Sequence, residues 1–147
     1  SGAMFSGMEM YQPSPYDRIQ AEEYKLIRDI ASKESCVIVG RAADYILSDQ
    51  SHVSIFLFAP MEDRVKRKMA LLKPEDAAKM TPSAMEKIVK QMDKQRKRYY
   101  EYYTDMKWGA RDSYDLLINT SQSGIDGAVK IIRTYIDECR GESIMPN

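Results

Sequence analysis

Apolar positions along the chain follow two spacings, three or four residues apart over long stretches and unbroken over short ones. Ile19, Leu26, Ile27 and Ile30 recur at helical spacing behind Ser14-Pro15-Tyr16-Asp17, where a capping hydroxyl, a proline at the first helical position and an acid in the first turn predict a helix start. Cys36-Val37-Ile38-Val39 is a continuous β-branched run ended by Gly40, the pattern of a strand buried on both faces. A short helix is expected from about Ala43 to Leu47, and a second strand over Val53–Phe58, broken at Pro60. Met61–Leu72 reads as a helix, Lys73–Pro82 as a loop or broken helix, and Ser83 to about Asp105 as the longest helix. Tyr114–Ile118 is a third strand. Ser123-Gly124-Ile125-Asp126 resembles a capping box with Asp in place of Glu, opening a last helix with Ile125, Val129, Ile132, Ile136 and Cys139 on one face. Met4–Pro13 has no period and reads as a tail, behind a Ser1-Gly2-Ala3 that has the look of an expression scar.

Strands alternating with helices predict one α/β domain over residues 14–147, built on a mainly parallel sheet flanked by helices. Ligands of such sheets sit at the carboxyl ends of strands. That singles out Gly40-Arg41, Ala59-Pro60 and Asn119-Thr120-Ser121. Composition narrows the function little. Hydrophobic residues make up 44% and charged ones 30%, as in soluble globular chains, and 22 basic residues balance 22 acidic ones. Net charge therefore draws the chain toward neither nucleic acid nor membrane, and a basic site must come from local clustering. Cys36 and Cys139 lack metal-type spacing and are expected as reduced core thiols of a cytoplasmic protein.

The candidate chemistry lies in a few charged residues. Arg41 follows the glycine that ends a buried run, where a planar donor fork suits a phosphate or carboxylate; the alternative is a surface arginine paired with a nearby acid such as Asp44. Arg64 and Arg67 share a helical face, with Lys68 one turn on from Arg64, either to neutralise a polyphosphate or as a solvated charge run. Arg96 falls inside the apolar stripe Met85, Val89, Met92, Tyr99, Tyr103, with Asp93 three residues before it. It faces a ligand or makes a structural ion pair with Asp93. Tyr99, Tyr100, Tyr102 and Tyr103, beside Lys97 and Arg98, suit base stacking only weakly, since two of them extend the apolar stripe and such stripes are usually core; His52 is read as a loop residue. No zinc signature, nucleophile elbow or dinucleotide fingerprint occurs.

Four segments in order resemble the cytidylate-kinase-like nucleoside monophosphate kinases, over about Tyr16–Ile136. They are Cys36 to Leu47, including Gly40-Arg41; Ile55 to Pro60 leading into Asp63-Arg64-Val65-Lys66-Arg67; Asp93-Lys94-Gln95-Arg96 with Tyr99-Tyr100 and Tyr102-Tyr103; and Trp108-Gly109 followed by Tyr114 to Thr120. The resemblance implies a P-loop kinase fold and phosphate transfer from ATP, with Mg2+, to a pyrimidine nucleoside monophosphate. It implies that Arg41 grips the acceptor phosphate and that Asp93 and Arg96 contact the acceptor nucleotide. Arg64 and Arg67 would close on the transferring phosphate. Ala42 stands where bacterial members carry a base-reading Asp, and Asp44 lies two residues on.

The chain resembles the back two-thirds of the family. No Gly-x-x-x-x-Gly-Lys-Ser/Thr loop occurs, and the strand that would feed it is central in the fold. Its absence would leave the strands at Cys36–Val39 and Val53–Phe58 with open edges, to be closed on each other, by another chain, or by the rest of a longer kinase. The expected partners are thus a nucleoside monophosphate, ATP where the missing segment is supplied, and a second copy or complementing chain; nucleic acid and membrane are not expected. The alternative function is a non-catalytic nucleotide-binding or protein-interaction module on a degraded kinase fold.

Overall fold

The computed structural model describes residues 13–142, so the scar and tail expected over residues 1–13 lie outside it but for Pro13. The first helix, α1 (Pro15–Lys33), starts as its sequence dictates. The Ser14 hydroxyl accepts from the Asp17 amide at 3.2 Å, and the Asp17 carboxylate accepts from the Ser14 amide at 3.2 Å, which satisfies two otherwise orphaned donors. Helix α2 (Ala43–Ile46) packs on α1 through Ile27, Ala43, Ile46 and Leu47, with Ala31 and Ile38 against them. Arg28 ties the pair together, donating to both Asp49 carboxylate oxygens at 2.7 and 2.8 Å and to the Ile46 carbonyl at 2.9 Å.

Strands β1 (Ile55–Phe58) and β2 (Leu116–Asn119) pair in parallel, with Ile55 opposite Leu116 and Phe58 opposite Asn119. Helices α3 (Met61–Ala70), α4 (Pro74–Ala77) and α5 (Pro82–Tyr103) form the crossover between them, and α6 (Thr120–Glu142) packs back on both strands. The fold is α/β, a two-stranded parallel sheet flanked by helices. A second small core sits between α3 and α5, where Val65 meets Met85 and Val89 and Met61, Met69, Leu72 and Met80 close the sides. The stretch expected as a loop or broken helix holds the single turn of α4, with Pro74 at its start.

Four expectations are corrected. Cys36–Val39 is unpaired, and Val37 and Val39 are 94% and 89% exposed rather than buried on both faces. A strand buries both faces only inside a sheet covered by helices above and below, and this run joins no sheet among the described residues. Cys36 and Cys139 are both exposed, not core thiols. The apolar stripes of α1 and α6 are largely uncovered, with Ile19 and Leu26 each 57% exposed and Ile125 64%. Lastly, Gly124 (φ 66°, ψ 177°) breaks α6 after its first turn. The Ser123 hydroxyl there donates to the carbonyls of Asn119 and Gly124 at 3.3 and 2.9 Å, in place of the capping box expected with Asp126. Among the described residues no helix is long and apolar enough to cross a membrane.

Candidate functional site

Packing of Val65 against Met85 and Val89 brings the residues flanking Val65 on α3 alongside α5. The consequence is a cleft of about 200 Å³ lined by Arg64, Arg67, Lys68 and Arg96, with Leu71, Val89 and Met92 as its apolar floor. No acidic side chain lines it.

Each arginine is held differently. Arg64 is bidentate on Asp93, Nη1 to Oδ2 and Nη2 to Oδ1, both at 2.6 Å. That hydrogen-bonded partner raises the Arg64 pKa against the opposing effect of burial. Arg67 reaches the carboxyl ends of the strands, its Nη1 donating to Thr120 Oγ1 at 2.8 Å and its Nη2 to the Thr120 carbonyl at 3.1 Å. Thr120 in turn donates to the Phe58 carbonyl at 3.2 Å, so one threonine joins α3 to both strand ends. Arg96 does not make the ion pair considered from sequence. Both Asp93 oxygens are on Arg64, and Arg96 is exposed at the cleft with no carboxylate partner among the described residues.

Arg41 lies in a second group that α5 joins to the first. Gly40, Arg41 and Ala42 all have left-handed backbones (φ 76°, 60° and 53°), which for the two non-glycine residues costs about 1–2 kcal/mol each. The Arg41 side chain is not paired with Asp44 but with Glu23 of α1, Nη2 to Oε1 at 2.9 Å. Its guanidinium lies over the Tyr99 ring, 5.3 Å from the centroid, and the Tyr99 hydroxyl donates to Glu23 Oε2 at 3.2 Å. Tyr99 is one turn beyond Arg96 on α5.

Asp44 faces inward, accepting from the Tyr100 hydroxyl at 2.7 Å and from the Ser54 hydroxyl at 3.4 Å. Burial, reinforced by Asp44, pushes the Tyr100 phenol far above its ordinary value. The apolar stripe of α5 therefore ends on Tyr100, which is buried and stacked on Tyr114 at 5.9 Å, and not on Tyr99 and Tyr103, which are half-buried. Helical period alone does not separate neighbours at positions 99 and 100; Asp44 and Tyr114, remote in sequence, decide it. Phe56, edge-on to Trp108 at 5.1 Å and 4.9 Å from Tyr114, completes the packing. Gly109 (φ 75°) is needed there, because a Cβ would fall 3.0 Å from the Phe56 ring.

The structure thus gathers Arg64, Arg67, Asp93 and Arg96 about one cleft, sets Arg41 a helical turn away, and turns Asp44 toward the core side. Sequence reading missed Glu23, Tyr99 as a platform for Arg41, and Thr120 as the anchor of Arg67. Glu23 carried a usable signal: it stands four after Ile19 and three before Leu26, a carboxylate within an apolar stripe, just as Arg96 does on α5.

The sequence profile of the cytidylate kinase-like family matches residues 2–122. The cytidylate kinase of Thermococcus kodakarensis is 32% identical over 136 residues, covering 89% of this chain and 66% of that protein. The cytidylate kinase of Staphylothermus marinus is 28% identical over 120 residues, covering 82% and 64%. This chain spans just under two thirds of the length of these relatives. Among solved structures, an uncharacterized protein from Eubacterium ventriosum superposes with a TM-score of 0.74 at 34% identity, over 85% of this chain and 68% of the other.

Proposed function

Because the chain belongs to the cytidylate kinase-like family, we propose that it is a nucleotide-binding module, holding a nucleoside monophosphate by its phosphate with Arg41 and the arginine cleft between α3 and α5. The observation that carries this reading is the cleft lining, three arginines and a lysine with no acid among them. Arg64 has Asp93 as its counter-charge, but Arg67, Lys68 and Arg96 have no carboxylate partner among the described residues. Like charges gathered on one concave surface repel, and an anion relieves that repulsion while the low-dielectric walls strengthen its binding. The surrounding charge has the same sign. Residues 61–103 hold twelve of the 22 Lys and Arg but seven of the 22 Asp and Glu, a basic lobe on a neutral chain.

The arginines divide the work. Arg64, fixed by Asp93, keeps its place as the cleft fills, while Arg96, without a carboxylate, offers its fork to a phosphate. Arg67, docked on Thr120, sets its charge at the strand ends, where ligands of parallel sheets collect. Asp44, engaged by Tyr100 and Ser54, would act on a base only through an oxygen lone pair left over from them.

Phosphate transfer, the activity that the relatives' name implies, also needs a backbone cradle for the ATP phosphates. The sequence has no motif for one. A magnesium ion, held as a rule by one or two carboxylates beside the phosphates, finds none lining the cleft either. No group of three or more His, Cys, Asp or Glu that could hold a metal meets among the described residues, and Asp93 has both oxygens on Arg64. The reading is therefore of binding: this chain brings the acceptor side and the arginine-bearing helices, and ATP with its Mg2+ belongs with a complementing segment or chain.

Calorimetric titration with CMP, UMP and ATP separately tests this. A pyrimidine monophosphate should bind, ATP alone should not, and Arg41→Ala should weaken the monophosphate by about 1.5–3 kcal/mol, the range for hydrogen bonds to charged groups. No binding of either monophosphate to the folded chain would overturn the proposal. A coupled assay showing CMP turnover with ATP at about 1 s⁻¹, ordinary for kinases, would overturn the restriction to binding.

A further inference from the structure

Arg41 stands on three consecutive left-handed residues, at the point where α1, the turn before α2 and α5 meet. The Glu23 carboxylate divides its two oxygens between elements remote in sequence, Oε1 to Arg41 Nη2 at 2.9 Å and Oε2 to the Tyr99 hydroxyl at 3.2 Å. The Tyr99 ring supports one face of the guanidinium. The Glu23 side chain is 24% exposed while that of Arg41 is 55% exposed, so the carboxylate is sunk and the fork stands out. An exposed ion pair adds little to stability. A guanidinium gripped at one nitrogen and one face, however, has lost most of its rotational freedom and keeps further N–H donors turned away from Glu23.

We propose that Glu23 and Tyr99 are positioning residues that hold Arg41 in readiness for a phosphate monoester. This rests on the reading that Arg41 takes the phosphate of a nucleotide, and adds how the arginine is prepared. A five-donor fork on a long flexible stem must otherwise be ordered when the ligand arrives, and ordering it beforehand removes that cost from binding. The cluster makes a prediction opposite in sign to simple electrostatics. Removing a carboxylate near an anion site should tighten anion binding through Coulomb's law. If Glu23 positions Arg41, removing it should weaken binding, although the site becomes more positive.

The experiment is a double-mutant cycle read by CMP calorimetry on wild type, Glu23→Ala, Arg41→Ala and the double variant, with Glu23→Gln and Tyr99→Leu beside them and melting curves to show that each is folded. Glu23→Ala should weaken CMP binding about 5- to 10-fold, within the range of coupling between contacting residues, and have no further effect once Arg41 is absent. Glu23→Gln, which keeps an oxygen acceptor and loses the charge, should fall nearer to wild type than the alanine variant, and Tyr99→Leu should weaken binding. Tighter CMP binding by Glu23→Ala, or the same loss with Arg41 already removed, overturns the positioning role while wild-type binding leaves the phosphate-site reading standing. A folded wild type that does not bind CMP overturns that reading, and this proposal with it.

Discussion

Arg96 shows how one residue's role turns on where its neighbours' hydrogen bonds go. Met92 and Tyr99 surround it with apolar spacing, and Asp93 lies three residues away, but Arg64 has taken Asp93. Arg96→Met should therefore leave the melting temperature nearly unchanged, within the roughly 0.5 kcal/mol of ordinary surface substitutions, and lower CMP affinity sharply. Lys97→Met should alter neither. A large drop in melting temperature with an unchanged CMP-induced shift would make Arg96 structural. Tyr100 offers a test by pH. Its phenol holds its proton more tightly in the folded chain, through burial and then Asp44, than in the unfolded chain, where its pKa is about 10. Its contribution to stability is whole below that value and declines as pH rises above it. Thermal melts from about pH 8 to pH 11 should fall more steeply in wild type than in Tyr100→Phe, which has no proton to lose. Parallel slopes would show that Tyr100 does not carry the alkaline sensitivity.

Among the elements, α3 and α5 depend on each other. Their shared core is small, Val65 with Met85 and Val89, and the Arg64–Asp93 pair bolts its open side. With side chains 29% and 22% exposed, that pair lies between the surface and buried cases. Asp93→Ala should cost about 1–3 kcal/mol in urea unfolding, between the values for exposed and buried pairs, and leave Arg64 free to swing in the cleft. Loss below about 0.5 kcal/mol would mean that apolar contact alone holds the helices. Much at this scale was legible. The Ser14 cap, the helix before the first strand run, the α3 and α5 helices and both paired strands follow from caps and apolar spacing. Gly124 was not read as a break, because a glycine near a helix start fits a cap as well as a kink.

For the molecule as a whole, burial is spread over two small cores and single residues outside them such as Tyr100, Ile118 and Ala128, and among the described residues no large side chain is less than 2% exposed. Val37, Val39, Leu26 and Ile125 present apolar surface instead. Exposed apolar side chains such as these, with a strand-like run that joins no sheet among the described residues, favour association with another chain. Sedimentation velocity at micromolar concentration should show a species larger than one chain, most simply a symmetric dimer. A single monomeric boundary across that range would show that these faces stay in water.

What the sequence determined by itself is local or modular: which segments are helices, which runs have strand character, that the class is α/β, and the order of motifs that marks the family. These rest on short-range rules of capping, spacing and backbone freedom, complete within ten or twenty residues. Tertiary structure alone decided which partner each arginine meets. Arg64 found Asp93, Arg41 found Glu23, and Arg67 found Thr120, at separations of 29, 18 and 53 residues. It also decided that Cys36–Val39 stays unpaired. An ion pair or a ladder is a contact between surfaces, and a run of residues shows only that it would accept a partner. Which partner arrives depends on how the remaining helices pack.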